Sequence, residues 1–341
     1  MLQSSDKFIM KGKDLSELQD WCDKKGHPKF RAQQLFEWMY FHGESNPKRM
    51  TNLSKSIIND LQSDCIIQTL EIEKVSSSEN EATNKLLFRT VDNRFIETVS
   101  MVEDNRHTVC ISSQIGCSVD CDFCATASMG IIRNLNTGEI IDQLNYIREK
   151  VEITITNVVF MGMGEPFLNY ERVLKAADIF HDPKGFGLGA HRITISTAGI
   201  LPKIKKFYEE DRKYKLATSL NASNDETRSK IMPINNKWSI SELIAIGRSQ
   251  AHRNRKVMFE YVLLAGVNDS TDNAYELSSL LRGVDCKLNI IPYNETDGKY
   301  RRPDSDAMES FLEVLSARPK GYRVMVRWSK GQDIDAGCGQ L

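Results

Sequence analysis

Short apolar runs alternate with longer amphipathic segments beyond residue 105, and this alternation constrains the fold more than any other feature of the sequence. The short runs have the length of strands and the long segments that of helices, which predicts βα units and a parallel sheet of the α/β class. Such strands close into a barrel or form an open sheet, and both arrangements bind ligands in the loops after the strands. The predicted strands are 108–112, 157–161, 192–196, 216–220, 257–264, 287–291 and 322–327.

The first third of the sequence shows two other patterns. Apolar residues recur at helical spacing, and we predict a helical domain over residues 1–65. Strand-like runs broken by a polar stretch then predict a β connecting segment over 66–104, formed by a hairpin or a small antiparallel layer. The domain with the βα units follows over 105–341.

The composition indicates a soluble globular protein with almost no net charge. The 341 residues include 45 Lys and Arg against 46 Asp and Glu, which gives a net charge of −1. No run approaches the ~18 apolar residues that cross a bilayer, and the first residues lack the apolar core of a secretion signal, so we expect a cytoplasmic protein. Three local basic clusters either bind phosphate or are solvated helix ends and loops. They are Lys203, Lys205 and Lys206; Arg253, Arg255 and Lys256; and Lys299, Arg301 and Arg302.

Three of the eight cysteines, Cys117, Cys121 and Cys124, are spaced C-x₃-C-x₂-C after the first predicted strand. This spacing lets one short loop present three thiolates to a [4Fe–4S] cluster, which normally takes four, so that one iron is left for a small molecule. The best-known ligand of that kind is S-adenosylmethionine, which brings radical chemistry. The alternative is a zinc site with Cys110 or His107 as fourth ligand, although no second cysteine pair or histidine pair follows.

Small and polar residues follow the later predicted strands. Gly164 lies in a glycine turn where main-chain groups can approach a ligand, and Glu165 is a candidate partner for the ligand's ammonium group. Ser196, Ser219 and Asn294 offer the hydroxyl and amide groups that a ribose and a carboxylate need. Helix capping is the alternative role for the two serines.

A further functional cysteine is indicated near the end of the sequence. Cys338 lies in a glycine-flanked polar segment, 332–341, which is poorly suited to a core and mobile enough to reach a site. A thiolate there is a good nucleophile. Cys110 also lies outside the cluster motif. The other cysteines have no such context and are interpreted as structural: Cys22, Cys65 and Cys286.

Several motifs together resemble the RlmN/Cfr-type radical S-adenosylmethionine RNA adenine methyltransferases, and RlmN more closely than Cfr. The similarity extends over nearly the whole sequence. It implies a partial (β/α)₆ radical SAM barrel with an N-terminal helical accessory domain and a small β connecting layer. The motifs that carry it are FRAQQ at 30–34, RFIETV at 94–99, CISSQIGC at 110–117, MGMGEP at 161–166, MPIN at 232–235 and DIDAGCGQL at 333–341.

The resemblance also implies a mechanism. It predicts a [4Fe–4S] cluster on the three motif cysteines and two S-adenosylmethionine molecules per turnover. One molecule methylates Cys338, and a deoxyadenosyl radical from the second takes a hydrogen from the methylated sulfur group, whose carbon radical adds to adenine. Glu97 removes the proton from the adduct, and Cys110 attacks the sulfur of Cys338, leaving a transient disulfide. A radical is needed because the amidine carbon of adenine is electrophilic and does not accept a methyl cation.

The implied substrate is an adenine of 23S rRNA at the peptidyl-transferase centre, methylated on carbon 2, with some family members also treating tRNA; the Cfr branch favours carbon 8. The base must leave its stack to reach the site. We expect the helical domain to grip the RNA, with Trp38 and Tyr40 as stacking candidates and core packing as the other role for Trp38. We also expect a flavodoxin- or thioredoxin-like reductant, no membrane association and a monomer.

Two features depart from the usual pattern of the family. Members usually carry histidine after Ser219 and Leu220, where this sequence has Asn221, and all three positions are expected to contact S-adenosylmethionine. The usual proline-rich loop after the sixth strand is replaced by 294–302. These departures leave the chemistry unchanged but leave open a paralogue that methylates another RNA adenine or carbon 8.

Two other classes of protein fit part of the pattern. A radical enzyme acting on a small molecule or peptide would need neither Cys110 nor Cys338. A zinc-stabilised RNA-binding module would bind no cluster and cleave no S-adenosylmethionine. The variant Cys338→Ala tests the first alternative, and anaerobic reconstitution of the cluster tests the second.

Overall fold

The computed structural model describes most of the chain, and its described ranges are 7–150, 154–251, 257–296, 298–317 and 321–341. The basic cluster of Arg253, Arg255 and Lys256 lies outside the described residues. No helix within those ranges is both long enough and apolar enough to cross a membrane.

The N-terminal region is helical where the periodicity predicts helices. It contains α1 (Leu15–Lys24), α2 (Phe30–Phe36) and α3 (Lys55–Asp64). A capping box begins α1, because the Asp14 side chain accepts the Glu17 N–H at 2.9 Å and the Glu17 side chain accepts the Asp14 N–H at 2.9 Å.

Strands and helices alternate through the rest of the described chain. The strands are β1 (Phe8–Ile9), β2 (Cys65–Ile66), β3 (Leu70–Ser77), β4 (Thr83–Thr90), β5 (Phe95–Glu103), β6 (Arg106–Cys110), β7 (Gln114–Gly116), β8 (Ile131–Asn134), β9 (Asn157–Phe160), β10 (Ile193–Thr197), β11 (Lys215–Ser219), β12 (Val257–Leu263), β13 (Cys286–Pro292) and β14 (Tyr322–Val326). The further helices are α4 (Ala125–Ser128), α5 (Thr137–Lys150), α6 (Tyr170–His181), α7 (Leu201–Glu209), α8 (Asp225–Ile231), α9 (Ile240–Ala251), α10 (Thr271–Leu280) and α11 (Ser305–Ala317).

Within the described ranges, ten strands form one sheet in the order β14-β13-β12-β11-β10-β9-β6-β5-β4-β3. The seven strands from β14 to β6 are parallel. At least one helix separates each of these strands from the next in the chain, so six βα units are followed by a seventh strand. The two edge strands do not pair with each other. The predicted α/β fold with a partial barrel is confirmed.

The predicted β connecting segment is an antiparallel extension of this sheet and not a separate layer. Strands β3, β4 and β5 form a meander, and a turn leads from β5 into β6. Strand β6 therefore pairs with β5 on one side and with β9 on the other. Val99 pairs with Cys110 across β5 and β6. Because alternate residues of a strand share a face, Glu97 and Cys110 lie on the same face of neighbouring strands.

Buried polar contacts join the helical region to α5. Lys11 and Asp142 form an ion pair at 3.4 Å, and their side chains are 0% and 5% exposed. Asp142 Oδ2 also accepts the N–H and the hydroxyl of Thr69, at 2.5 and 2.7 Å. Side chains of the helical region and of the sheet belong to one hydrophobic core, and the predicted boundary at residue 65 stays a prediction.

The two aromatic candidates for RNA stacking are occupied by contacts within the protein. Tyr40 is fully buried, and its hydroxyl donates to the Lys13 carbonyl at 2.8 Å. Trp38 packs against the core, and its Nε1 donates to Asn52 Oδ1 at 2.6 Å. The stacking prediction for Tyr40 is wrong because no face of its ring is accessible.

Candidate active site

The three motif cysteines lie on one tight loop at the carboxyl edge of the parallel strands. The loop follows β7 and ends at Cys124, the N-cap residue immediately before α4. Cys124 N–H donates to the Cys121 carbonyl at 3.0 Å, and Cys117 N–H donates to the Gly130 carbonyl at 3.0 Å. All three cysteines line one cavity, the triad cavity, together with residues from the ends of β9, β10 and β11. The loop thus presents three sulfur atoms to a single space.

The environment of these thiols suits a bound cationic centre. Burial raises the pKa of Cys117 to about 11 and that of Cys121 well above its usual value, and the charge of Cys124 raises both further. A coordinated metal reverses this preference, because its positive charge deprotonates the thiols that bind it. Three such thiols fit a [4Fe–4S] cluster that keeps one iron for a small ligand.

Neither candidate for a fourth zinc ligand lines the triad cavity. His107 is buried on β6, where its Nε2 lies 2.8 Å from Ser100 Oγ. Cys110 lines a different cavity. Among the residues with described positions, no three His, Cys, Asp or Glu side chains stand close enough to hold a single metal ion.

Five of the seven predicted cofactor residues line the triad cavity. They come from the carboxyl ends of successive parallel strands, where ligands of such sheets bind. These residues are Gly164, Glu165, Ser196, Ser219 and Asn221.

The glycine turn after β9 positions Glu165. Gly164 has a φ of +94°, and a Cβ there would lie 2.4 Å from Gln114 Cβ, so only glycine fits. The buried Glu165 carboxylate accepts the N–H groups of Phe167 at 2.9 Å and Ala198 at 2.7 Å. Burial nevertheless raises its pKa to about 7. The Thr197 hydroxyl is a further hydrogen-bond partner of this carboxylate. A cationic group of a ligand would offset the cost of burying the charged form.

Asn221 occupies a left-handed backbone conformation that suits asparagine. Its φ is +55°, a left-handed value that asparagine adopts more readily than most residues. Its Oδ1 accepts the Val262 N–H at 2.9 Å, and its Nδ2 lies 3.2 Å from Met232 Sδ. The side chain therefore joins the end of β11 to β12 while it lines the triad cavity.

The other two predicted cofactor residues do not line this cavity. Leu220 is fully buried in the hydrophobic core. The Asn294 amide donates to the Cys338 carbonyl at 3.0 Å and to Ser329 Oγ at 2.8 Å. Gly337 has no room for a side chain, because a Cβ would lie 2.6 Å from Asn294 Cγ. Asn294 thus holds the loop that carries Cys338, a long-range contact that its position after a strand did not indicate.

The segment that carries Cys338 is docked, whereas the sequence predicted a mobile tail. Gly339 accepts the Ala125 N–H at 2.7 Å, and Asp333 Oδ2 accepts the Glu79 N–H at 2.9 Å. Ala125 and Glu79 each lie more than 200 residues from their partners in this segment, so composition could not reveal these contacts. The half-buried Cys338 side chain lines the triad cavity.

Cys338 also lines a second, smaller cavity with Cys110, which we call the thiol cavity. Its walls include Met101, Met161 and Arg327. Burial raises the pKa of Cys110 to about 12, and the charge of Cys338 raises it further. The charge of Cys338 in turn raises the pKa of Arg327. All eight cysteines are free thiols. The Arg327 guanidinium is placed to stabilise a thiolate at Cys110 or at Cys338.

Glu97 faces a third, open cavity on the other side of the cysteine loop. This cavity is also lined by Cys121, Cys124 and Asp335. Lys85 Nζ lies 3.4 Å from Glu97 Oε1 and donates to the Asp335 carbonyl at 3.2 Å. Glu97 therefore lies between the loop with the cysteine triad and the loop with Cys338.

Comparison with known proteins decides the family. Residues 10–67 match the model of the ribosomal RNA large subunit methyltransferase N-terminal domain, and residues 111–277 match that of the radical SAM superfamily. The dual-specificity RNA methyltransferase RlmN of Geobacter sulfurreducens is 40% identical over 97% of this chain and 91% of its own length. The probable RlmN of Clostridium novyi is 40% identical over 96% of this chain and 95% of its own.

The chain belongs to the RlmN family. A crystal structure of a radical SAM methyltransferase from Sphaerobacter thermophilus superposes with a TM-score of 0.92 and 42% identity, covering 98% of this chain and 99% of that one. The protein is a radical SAM RNA methyltransferase, as the sequence motifs predicted. Membership of the superfamily implies a [4Fe–4S] cluster and S-adenosylmethionine as cofactors.

Sequence reasoning missed an acidic residue of this RlmN-family site. Glu260 is 5% exposed and lines the triad cavity. Its Oε2 accepts the Ser196 hydroxyl at 2.9 Å, while Oε1 has no hydrogen-bond partner among the described residues and lies 3.6 Å from Arg327 Nη1. The available signal was a carboxylate in the middle of the apolar strand β12.

Arg228 was also missed, and it holds the rim of the site together. The side chain is fully buried on α8. It donates to the carbonyls of Leu220 at 2.9 Å, Ala198 at 2.7 Å and Ser219 at 2.9 Å, and to Asn235 Oδ1 at 3.0 Å. Its guanidinium therefore fixes the ends of β10 and β11, which carry the predicted cofactor residues Ser196 and Ser219.

Replacing Arg228 with lysine is expected to lower the free energy of unfolding by about 3 kcal/mol, because one ammonium group cannot reach four acceptors and buried carbonyls lose charged partners. Denaturant unfolding measures this loss, and calorimetry should show weaker binding of S-adenosylmethionine. Arg248→Lys is the matched control, since Arg248 is exposed and donates one bond to the Leu280 carbonyl at 3.3 Å. Equal stabilities of the two variants would contradict the role given to Arg228.

Proposed function

We propose that this RlmN-family enzyme methylates carbon 2 of an adenine in 23S rRNA, and also an adenine in tRNA, through an S-methylcysteine at Cys338. One observation carries the proposal: Cys338 lines both the triad cavity and the thiol cavity. A single sulfur atom therefore faces the place where a radical would form and a second thiol that can release a covalent adduct. The relatives' name, dual-specificity RNA methyltransferase, supports the pair of substrates.

Each of four residues has a separate role in the proposed reaction. When bound in the triad cavity, the cluster and S-adenosylmethionine supply the methyl group and the radical. Cys338 carries the methyl group, and Arg327 stabilises its thiolate before transfer. Glu97 accepts the carbon-2 proton of the adenine adduct. Once the adduct has also given up its unpaired electron, the Cys110 thiolate attacks the Cys338 sulfur and forms a disulfide. The bond from that sulfur to the methylene carbon breaks, its electron pair stays with the RNA, and the methylene carbon takes up a proton to become the methyl group. The disulfide then remains to be reduced.

Further parts of the proposal follow from this scheme. Methylation of Cys338 and generation of the radical each consume one S-adenosylmethionine, so two are used per turnover. A flavodoxin- or thioredoxin-like protein supplies the electrons for the cluster and for the disulfide between Cys110 and Cys338. The enzyme acts as a cytoplasmic monomer, and its helical domain, residues 1–65, contacts the RNA.

Mass spectrometric mapping of methyladenosine tests the function. We expect 2-methyladenosine at one site of 23S rRNA and in tRNA from cells that carry the gene, and its loss from cells that lack it. Complementation with the native gene should restore the modification, and complementation with the Cys338→Ala gene should not. Methylation at carbon 8 would replace the carbon-2 assignment, and unchanged RNA in both strains would favour a radical enzyme with a non-RNA substrate.

A further inference from the structure

We propose that the concave face of the sheet binds the RNA strand that leads to the target adenine, by its phosphates and by stacking on Trp328. This site, the basic groove, is a cavity of about 560 Å³ lined by residues of β5, β6, β9, β10, β11, β12, β13 and β14. Three of its cations are Arg106, Lys215 and Lys287. The inference rests on the proposed function and adds the location of the RNA.

The three cations lie at the amino ends of their strands, opposite the edge that holds the cysteine triad. Arg106 and Lys215 are the first residues of β6 and β11, and Lys287 is the second residue of β13. Cys110 ends β6 on the same face as Arg106, four residues along. At about 3.3 Å per residue, the strand separates the two by about 13 Å. The groove is thus long enough to guide a flexible polyanion toward the thiols.

The charge of the basic groove is not balanced within the described part of the chain. Glu103 also lines the groove, but it pairs with Lys330 at 3.2 Å. No described carboxylate lies within ion-pair distance of Arg106, Lys215 or Lys287. Burial lowers the pKa of Lys215, and the charges of Lys287 and Arg106 lower it further. A bound anion lowers the repulsion among like charges that are held together in this way. Nucleic-acid phosphates supply several negative charges at regular spacing.

Trp328 adds an aromatic surface to these charges. Its side chain is 58% exposed, unusual for tryptophan. It lines both the basic groove and the thiol cavity, as do Met101, Met161, Arg327 and Lys330. An exposed indole beside cations is the arrangement that stacks an unpaired base. A nucleotide on Trp328 would place its neighbour at Cys110 and Cys338.

The concave shape favours RNA over an acidic protein such as a reductant. The cations lie inside the curve of the sheet, where a single strand can enter but the convex surface of a folded domain makes contact only at the rim. The basic groove continues into the thiol cavity, where the RNA must reach Cys110 and Cys338, and not to the cysteine triad, where a flavodoxin would reduce the cluster. A reductant of the disulfide between Cys110 and Cys338 would have to reach the same thiols, and the concave shape is what favours RNA over it.

The charge part of the proposal is tested with the double variant Lys215→Gln/Lys287→Gln. The control is Lys184→Gln/Lys237→Gln, which removes two exposed charges outside the groove. The probe is a fluorescein-labelled RNA hairpin from the peptidyl-transferase centre of 23S rRNA, titrated with cluster-containing enzyme from 50 to 300 mM KCl. We expect the double variant to bind RNA about tenfold more weakly at 150 mM KCl. We also expect the slope of the logarithm of the binding constant against the logarithm of the salt concentration to become shallower by about 1.4, because each lost phosphate contact with a single strand removes about 0.7. The control should bind like the native protein.

The stacking part is tested with Trp328→Ala and Trp328→Tyr. Alanine should weaken binding about tenfold with an unchanged salt slope, because stacking releases no counterions, and tyrosine should restore most of the affinity. Equal affinity of Trp328→Ala and the native protein would overturn the stacking role.

The outcomes separate this inference from the proposed function. If the double lysine variant binds RNA like its control while the native enzyme methylates RNA, the basic groove is not an RNA site and the function stands. If that variant binds RNA normally but is reduced more slowly by a flavodoxin, the groove serves the reductant and the inference is overturned. If the native enzyme neither binds nor methylates rRNA or tRNA, both fail.

Discussion

Cys338→Ala is expected to abolish RNA methylation, with a loss on the order of 10⁴-fold or more, as for removal of other covalent nucleophiles. Alanine has no sulfur to accept a methyl group, and adenine cannot take the group directly as a cation. Anaerobic assays with radiolabelled S-adenosylmethionine measure the transfer to RNA. Mass spectrometry of the native protein should find a methylated Cys338 peptide that the variant lacks.

Cys286→Ala is the control for this experiment. Cys286 is a buried thiol on β13 outside the three cavities of the site, so its loss should leave methylation close to the native rate. Iron analysis of both variants verifies that the cluster assembles. Methylation by Cys338→Ala at the rate of Cys286→Ala would reject the covalent carrier and favour a radical enzyme that needs no thiol.

Cys110→Ala is expected to trap a covalent complex between the enzyme and RNA. Without the second thiol, no group in the thiol cavity attacks the Cys338 sulfur, so the bond between that sulfur and the adduct carbon persists. The complex should survive denaturation, migrate more slowly in a denaturing gel and return to the position of the free protein after nuclease treatment. Turnover should stop after one equivalent of RNA.

The double variant Cys110→Ala/Cys338→Ala provides the control, because it has no sulfur to carry the adduct and should yield only free protein. Cys110 is 6% exposed, and its truncation leaves a small cavity that costs on the order of 1 kcal/mol. Thermal unfolding therefore accompanies the trapping assay. Recovery of free protein alone from folded Cys110→Ala would contradict the roles given to both cysteines.

The sequence predicted the parallel strands because their pattern is local. An apolar run of five residues between amphipathic segments indicates a buried strand, whatever the rest of the chain does. The three-cysteine motif was equally local, since one loop holds Cys117, Cys121 and Cys124. The strand ends that carry Glu165, Ser196 and Ser219 followed from the rule that ligands bind at the carboxyl edge of such sheets.

Local patterns did not indicate the distant partners of some side chains. Asn294 is predicted as a cofactor residue from its position after a strand, and the structure shows that it also holds the Cys338 loop. Leu220 lies between two residues of the triad cavity, and its own side chain is buried in the hydrophobic core. The sequence predicts Tyr40 as a stacking residue, but its ring is fully buried and its hydroxyl donates to the Lys13 carbonyl.

By itself, the sequence determined the fold class and the enzyme family and predicted the cysteines of the site, because periodicity and motif spacing are properties of short segments. Only the tertiary structure decided that Cys338 lies in a docked loop between two cavities, that Arg228 fixes two strand ends and that Arg106, Lys215 and Lys287 share one concave face. These arrangements depend on contacts between residues far apart in the chain. Such contacts are specified by the packing and hydrogen bonding of the whole sheet, which no single segment encodes.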